Sequence, residues 1–459
     1  RIPPQAIDSA AAMSGQSESI AAIATAFGSA GVGIVRVSGP LAKRIGETLT
    51  GQSLKARHAI HAHLRDGAGD ILDDAVVLYF QGPQSYTGED VLELQAHGNP
   101  ALLNAILREC RRLGARDARP GEFTERAFLN EKLDLAQAEA VADLISAQSE
   151  TAARAARRSL DGVFSQRCDA VSAHLVHARV YIEAALDFPD EEIDFLAAPE
   201  IRDLLGHCQT ELAQLRREAE QGKRLMDGLH VVIVGAPNAG KSSLLNALAG
   251  NERAIVTDIA GTTRDLLRET IQIEGLWLTL VDTAGLRDSE EIVEAEGIRR
   301  ARNELDKADI ILAVLDDSQI QAQALAAELQ GLGGSVLWLH NKADLSGHAI
   351  ERREQADGVH LWLSAKSGEG LDCLKSELSR AAGLGETGSG SFSARARHLE
   401  ALDLAAEHLQ RASGLCNQAQ AELAAEELRL AHNAVGTITG HMDADALLGR
   451  IFSSFCIGK

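Results

Sequence analysis

Residues His230–Asn246 read HVVIVGAPNAGKSSLLN, and no other stretch restricts the fold as strongly. Val231–Val234 is a short β-branched run, the pattern of a buried strand. The chain then passes through Gly235-Ala-Pro-Asn-Ala-Gly240 and leaves by Lys241, Ser242 and Ser243 into a helical pattern of Leu244, Leu245, Ala247 and Leu248. This is G-x-x-x-x-G-K-S in a strand–loop–helix setting. Its glycines let the backbone approach phosphate oxygens with no Cβ in the way. The loop from Asn238 through Ala239 and Gly240, with the helix N-terminus behind it, offers amides and fixed positive potential to a polyanion. Lys241 is placed to reach β/γ phosphates and Ser242 to hold Mg²⁺.

Three further elements follow in order, each at the end of an apolar run. Leu276–Val281 leads into Asp282-Thr283-Ala284-Gly285, where the carboxylate suits a Mg²⁺ contact and the glycine amide a γ-phosphate. Ile310–Leu315 is another strand pattern. Val336–His340 leads into Asn341-Lys342-Ala343-Asp344, whose last carboxylate can accept from the N–H and exocyclic amine of guanine, which adenine lacks in that arrangement. Leu361–Leu363 leads into Ser364-Ala365-Lys366, suited to the guanine oxygen. Together these read as an α/β GTPase domain over 229–384, roughly 155 residues and a normal single-domain size. Thr257-Asp258-Ile259-Ala260-Gly261-Thr262-Thr263 lies where a switch segment belongs. Leu286 stands where Ras-like enzymes carry the water-orienting glutamine, and no arginine finger is identifiable. The water-orienting candidates are then Asp288, Glu290, Glu291 and Glu294. Asn238 is either a turn residue or an oxygen ligand for a monovalent cation where an arginine finger would sit.

The flanks differ in character. Residues 13–130 alternate like strands at Gly31–Val37, Ala75–Phe80 and Val91–Gln95, with a helical pattern at Pro100–Gly114, so this part is α+β. Arg36 and Glu93 interrupt two of those strands, and pattern alone has them facing solvent from an edge strand. Residues 131–228 carry helical periodicity, with a second helix from Pro199 to about Arg224 and an acidic loop, DFPDEEIDF at 187–195, read as solvated. A glycine/serine linker at 384–393 precedes helical patterns at His398–Arg411, Leu415–His432 and Ala444–Phe452. A GTPase inserted into a helical bundle built from 131–228 and 394–459 accounts for that order. Net charge is −21 over 459 residues, so this surface alone is not built to grip a polyanion. Six scattered cysteines without C-x-x-C, and no apolar run of bilayer length, suit a cytoplasmic protein with reduced thiols and no membrane span. Cys456 lies near a terminus expected to be mobile, where it is either an incidental thiol or a reactive one.

The chain resembles the MnmE (TrmE) family of tRNA-modification GTPases from about Ile20 to Lys459. The resemblance rests on GVGIVRVSG at 31–39, YTGEDVLELQAHG at 86–98, RPGEFTERAFLNEKLDLAQAEA at 119–140, DFPDEEIDF at 187–195, GAPNAGKSSLLNAL at 235–248, TDIAGTTRD at 257–265 and LLGRIFSSFCIGK at 447–459. It implies a homodimer formed through an N-terminal domain similar to tetrahydrofolate-binding folds. Arg36, Glu93, Lys132 and Lys459 would there contact a 5-formyltetrahydrofolate, which displaces the edge-strand reading of the first two. It implies K⁺ held by Asn238, Thr257, Ile259 and Thr262 in place of an arginine finger, Mg²⁺ on Ser242 and Thr263, and Glu294 orienting water. Cys456 falls in a motif tied to the modification chemistry. The implied reaction, shared with a FAD-carrying partner, MnmG (GidA), adds aminomethyl or carboxymethylaminomethyl groups to carbon 5 of the wobble uridine of tRNA. The rival readings are a ribosome-assembly GTPase, which predicts a basic RNA-binding domain that neither flank shows, and a folate-dependent methyltransferase.

Overall fold

The computed structural model describes residues 18–187, 199–249, 268–273, 276–282, 304–319, 329, 335–381, 392–440, 451–452 and 455–458. The expected switch segment 257–263, residues Thr283–Gly285, Glu294, Lys459, the acidic loop beyond Asp187 and the helix expected from Ala444 to Arg450 lie outside them. Contacts divide the chain into two units, Arg1–Ala142 with Thr439–Lys459, and Asp143–Ile438.

The first unit holds a sheet of β1 (Ile20–Ile23), β2 (Ala30–Ser38), β3 (Ile60–Arg65), β4 (Ile71–Phe80), β5 (Val91–Gly98) and β6 (Arg116–Asp117), in the order β3-β4-β5-β2-β1-β6. Period-2 alternation sends Val35, Val37, Leu92 and Leu94 into the core, where Ile45 and Leu49 of α1 (Ala42–Thr50) and Leu103 and Ile106 of α2 (Pro100–Arg112) meet them. α2 starts where the Asn99 side chain accepts from the Ala101 N–H at 2.8 Å and Pro100 takes the first turn, and ends on Arg111 and Arg112. The strands carrying Arg36 and Glu93 are interior, not edge, and the two residues are directly paired across β2 and β5. Alternation fixes only the face a side chain takes; the neighbours of each strand decide whether it lies at the edge.

Buried charge ties this unit together. Glu122, on α3 (Glu122–Leu129), is 2% exposed and accepts from Arg116 at 2.6 and 2.8 Å, from Arg126 at 3.1 Å and from the Arg119 N–H at 2.8 Å. Arg126 continues to Glu89 at 2.8 Å, and Glu89 to the Ser38 hydroxyl at 2.8 Å. Ile451, Phe452 and Phe455 pack on Leu135 and Ala138, and the Cys456 carbonyl accepts from the Gly121 N–H at 3.4 Å. The Cys456 segment is therefore seated in the N-terminal unit and is not the free end expected from its position in the chain.

In the second unit, helices α5 (Glu150–Leu160), α6 (Val163–Asp187) and α7 (Pro199–Asp227) pack with the helix Ala396–Asn417. The chain returns to this bundle at Phe392–Arg395. Phe392 stacks on Phe164 at 4.5 Å, and its carbonyl passes so close to α7 that a Cβ at Gly222 would lie 2.0 Å away. Ser159 Oγ accepts from the Ser393 N–H at 2.9 Å, and Arg395 meets Asp143 at 2.6 Å. The bundle is thus built from chain on both sides of an inserted domain.

That inserted domain is Ras-like. Its sheet runs β12 (Arg352–Gln355), β13 (Gly358–Trp362), β11 (Ser335–Asn341), β10 (Ile310–Asp316), β7 (Leu229–Gly235), β9 (Leu276–Asp282), β8 (Arg268–Ile273). Only the outermost pairs, β12–β13 and β8–β9, are antiparallel. Parallel strands covered on both faces need continuous apolar runs, and the two cores take alternate residues of β7, Val231 and Ile233 on one side, Val232 and Val234 on the other.

Burial alone would raise the Glu122 carboxyl, but Arg116, the Arg119 amide and Arg126 overcome it and hold it at about 2, against an ordinary 4.5. A depressed carboxylate stabilises fully above its unfolded value and loses that contribution as pH falls toward its folded one. Glu122→Gln is expected to cost the first unit about 3 kcal/mol at pH 7, since it removes the buried carboxylate shared by Arg116, Arg126 and the Arg119 amide. Hydrogen exchange of the 122–129 amides should show the gap to wild type closing as pH falls from about 4.5 toward 2.

Candidate functional site

β7 ends at Gly235, and α8 (Lys241–Ala249) begins after five intervening residues. The loop between them turns on three positive φ angles: Gly235 at 155°, Asn238 at 65° and Gly240 at 94°. Two of these positions exclude a side chain by crowding as well as by conformation. A Cβ at Gly235 would lie 2.3 Å from the Val314 carbonyl of β10, and one at Gly240 would lie 2.2 Å from Asn341 Nδ2. Asn238, Ser242 and Ser243 are exposed, while Ala239 and Lys241 are buried. Lys241 Nζ donates to the Gly235 carbonyl at 2.9 Å and the Ala236 carbonyl at 3.0 Å, so its charge is held inside the curve of the loop.

The other loops converge on this one through Asn341. Its Nδ2 donates to the Ala239 carbonyl at 2.9 Å, and its Oδ1 accepts from the Ala365 N–H at 2.9 Å. One carboxamide therefore joins the loops after β7, β11 and β13. Lys342, at φ 67°, donates to Asp316 at 2.7 Å, which holds that carboxyl below its usual range. Asp344 and Lys366 are exposed at the same end, while Ala343, Ser364 and Ala365 are buried beneath them. Asp282 ends β9 beside Ile233 of β7, so the start of the D-x-x-G element lies next to the strand that feeds the glycine loop. The arrangement offers a curved run of amides, one ammonium and a hydroxyl to phosphates, and a carboxylate at Asp344 to a base. Thr257, Asp258, Ile259, Ala260, Gly261, Thr262, Thr263, Thr283, Ala284, Gly285 and Glu294 lie outside the described residues.

A second candidate site lies in the first unit. Arg36 donates to Glu93 Oε1 from Nε at 3.1 Å and from Nη2 at 2.9 Å. Its guanidinium lies 5.7 Å from the Tyr86 ring and 5.8 Å from the Phe123 ring. Tyr86 is itself fixed by a 2.8 Å bond to Thr124, and Lys132 donates to the Pro83 carbonyl at 3.0 Å. Tyr86, Phe123 and Thr124 did not emerge from the sequence as site residues. A signal was present: in a chain with 3% aromatic residues, three of them, Tyr86, Phe123 and Phe128, fall in the stretches 86–98 and 119–140. Among the described residues no group of histidine, cysteine and acidic side chains is arranged to hold a metal, and no helix is long and apolar enough to cross a membrane.

Comparison with known proteins follows the same division. A family described as the MnmE helical domain matches residues 135–456, and one described as the GTP-binding protein TrmE N-terminus matches 19–132. The tRNA modification GTPase MnmE of Pseudomonas paraeruginosa (strain DSM 24068 / PA7) is 55% identical over 455 residues, covering 97% of this chain and 100% of its own. The protein so named from Xanthomonas campestris pv. campestris (strain B100) is 54% identical over 452 residues, again 97% of this chain and 100% of its own. Among solved structures, the G domain of the T. maritima FeoB iron transporter is similar at 25% identity, covering 34% of this chain and 98% of its own, with a TM-score of 0.27.

Gly240→Ala tests the loop geometry. It forces a strained φ and pushes on the carboxamide that joins three loops, and strain of 1–3 kcal/mol corresponds to a loss of about tenfold to a hundredfold in nucleotide affinity. Titration with a fluorescent GDP analogue measures it; wild-type affinity would remove the glycine's assigned role.

Proposed function

The chain belongs to the MnmE family of tRNA modification GTPases, and from that premise we propose that it hydrolyses GTP in a K⁺-stimulated cycle coupled to modification of the wobble uridine of tRNA. The observation that carries the reading is the Asn341 carboxamide, which locks the glycine loop to both candidate base-side loops, in a chain whose relatives match it over 97% of its length. Phosphates would lie on the amides of Asn238–Ser243 with Lys241, and guanine would be read by Asp344 and covered by Ser364–Lys366. Ser242 heads α8 with its side chain exposed, and a hydroxyl there is a hard oxygen donor that fits Mg²⁺, joined by Thr263. Mg²⁺ would neutralise developing phosphate charge. Asn238, with Thr257, Ile259 and Thr262, would hold K⁺ where an arginine finger is missing, and Glu294 would orient the attacking water.

We further propose that the chain works as a homodimer with a FAD-dependent partner of the MnmG type, in the cytoplasm. The partner would grip the tRNA, in keeping with a net charge of −21 here. The Arg36–Glu93 pair, flanked by Tyr86 and Phe123, suits a flat heteroaromatic with hydrogen-bonding edges, and a formyl-tetrahydrofolate satisfies that description. Lys132 and Lys459 would add to its binding, and Cys456, exposed on the seated tail, is the thiol available to the modification chemistry.

Three measurements test this reading. GTP turnover by the purified protein in K⁺ should exceed that in Na⁺ by about a hundredfold or more, the effect of removing one preorganised stabilising group; equal rates would remove the cation from the mechanism. Nucleoside analysis of tRNA from a deletion strain should show loss of the modified wobble uridine, and an unchanged profile would refute the assignment. Glu294→Ala should abolish turnover while sparing nucleotide binding in stopped flow, and loss of both would count against its role.

A further inference from the structure

Asp317, just beyond β10, is half-buried as a residue, but its carboxylate is only 6% exposed, enclosed by groups from both candidate base-side loops. Its own N–H donates to the Asn341 carbonyl at 2.9 Å. Its Oδ1 accepts from Trp362 Nε1 at 3.2 Å and faces His340 Nδ1 at 3.4 Å. Its Oδ2 accepts from the Ser346 hydroxyl and lies 2.6 Å from His348 Nδ1. Ser346 and His348 lie two and four residues beyond Asp344 of Asn341-Lys342-Ala343-Asp344, and Trp362 immediately precedes the Leu363–Lys366 segment. One carboxylate thus reaches the outgoing arm of the first loop and the incoming strand of the second.

The surroundings make this a fixed post. The Trp362 ring stacks on His340 at 4.2 Å with 6° between planes, and the Arg353 guanidinium lies 5.2 Å from its centroid. His340 Nε2 is 3.0 Å from His360 Nδ1, and His360 Nε2 is 3.0 Å from Asp357. Burial, then the neighbouring His360, pushes the His340 imidazole below its ordinary value, which favours its neutral form. Burial works against the Asp317 charge too, but the Ser346 and His348 bonds overcome it and keep the carboxyl below its usual range. The charge is therefore held in place by directed donors from the loops. Such bonds to an ionised acceptor are about twice as strong as neutral ones.

We propose that Asp317 is a positioning residue for guanine-nucleotide recognition, acting through Ser346, His348 and Trp362 to hold Asp344 and Ser364–Lys366 at the spacing one base requires. This rests on the reading of those two loops as the guanine site. It assigns the charged side of β10 two separate duties: Asp316 anchors Lys342, and Asp317 anchors the loops on either side of it.

The test uses the full chain and four variants: Asp317→Asn, His348→Ala, the double variant Ser346→Ala/His348→Ala, and Asp344→Asn. For Asp317→Asn, losing a charge-assisted set should speed release of a fluorescent GDP analogue about tenfold and raise KM for GTP to match, with kcat at saturation within about twofold of wild type. His348→Ala, at a side chain 62% exposed, should speed release about threefold, and the double variant about as much as Asp317→Asn. The double variant decides the matter if Asp317→Asn does not fold. A fall in kcat with KM unchanged, or wild-type release in the double variant, would overturn the proposal. Asp344→Asn separates the two levels: if it binds the analogue normally, the guanine reading itself fails. If it loses binding while the Asp317 and double variants behave as wild type, only the positioning role fails.

Discussion

The Asn341 carboxamide is the interaction on which the nucleotide-binding end of the inserted domain depends. It has one donor end and one acceptor end, and the fold uses both, on the Ala239 carbonyl and the Ala365 amide. Loops after three different strands are thereby held at fixed distance by a group that cannot ionise. The crowding at Gly240 is the other side of the same contact, because Nδ2 takes the space a Cβ would need. The glycine-rich signature is thus partly a packing requirement between loops, in addition to making room for phosphate.

The flanking helices supply the mount for that domain. Phe392–Arg395 returns the chain to α6 through a ring stack, to α5 through a paired serine contact and to Asp143, ahead of α5, through an ion pair. Small side chains make the approach possible, Gly222 above all. A domain inserted between two segments of one bundle has both its ends fixed to the same body, so any rearrangement of it pulls on both segments together.

Much of this was legible in the sequence, and what was missed has identifiable causes. Continuous apolar runs such as Val231–Val234 and Ile310–Leu315 announced the parallel strands, because a strand buried on both faces has no polar alternative. The strand Arg352–Gln355 reads RREQ and is exposed throughout, so it carried no periodicity to find; it exists because β13 offers it an edge. Ile60–Arg65 and Arg268–Ile273 are half polar and likewise depend on partners. Arg36 and Glu93 were assigned a solvent-facing edge because alternation cannot distinguish a central strand from an outer one, and only the strand order shows that they face each other. Asp317 gave no signal at all, since its partners come from positions 340, 346, 348 and 362 and meet only in the folded domain.

The seating of the last residues has a temporal side. Gly458, at φ 95°, lies where a Cβ would come within 2.3 Å of the Ile23 carbonyl, and Phe452 and Phe455 cover Leu135 and Ala138. The first unit is therefore interrupted by everything from Asp143 to Ile438. At ribosomal speeds of about 5–20 residues per second, the apolar surface around Leu135 waits roughly 15–60 s for its cover. During that interval the nascent chain carries an N-terminal body without its cover, and only a polypeptide translated through Phe455 and Gly458 can close it.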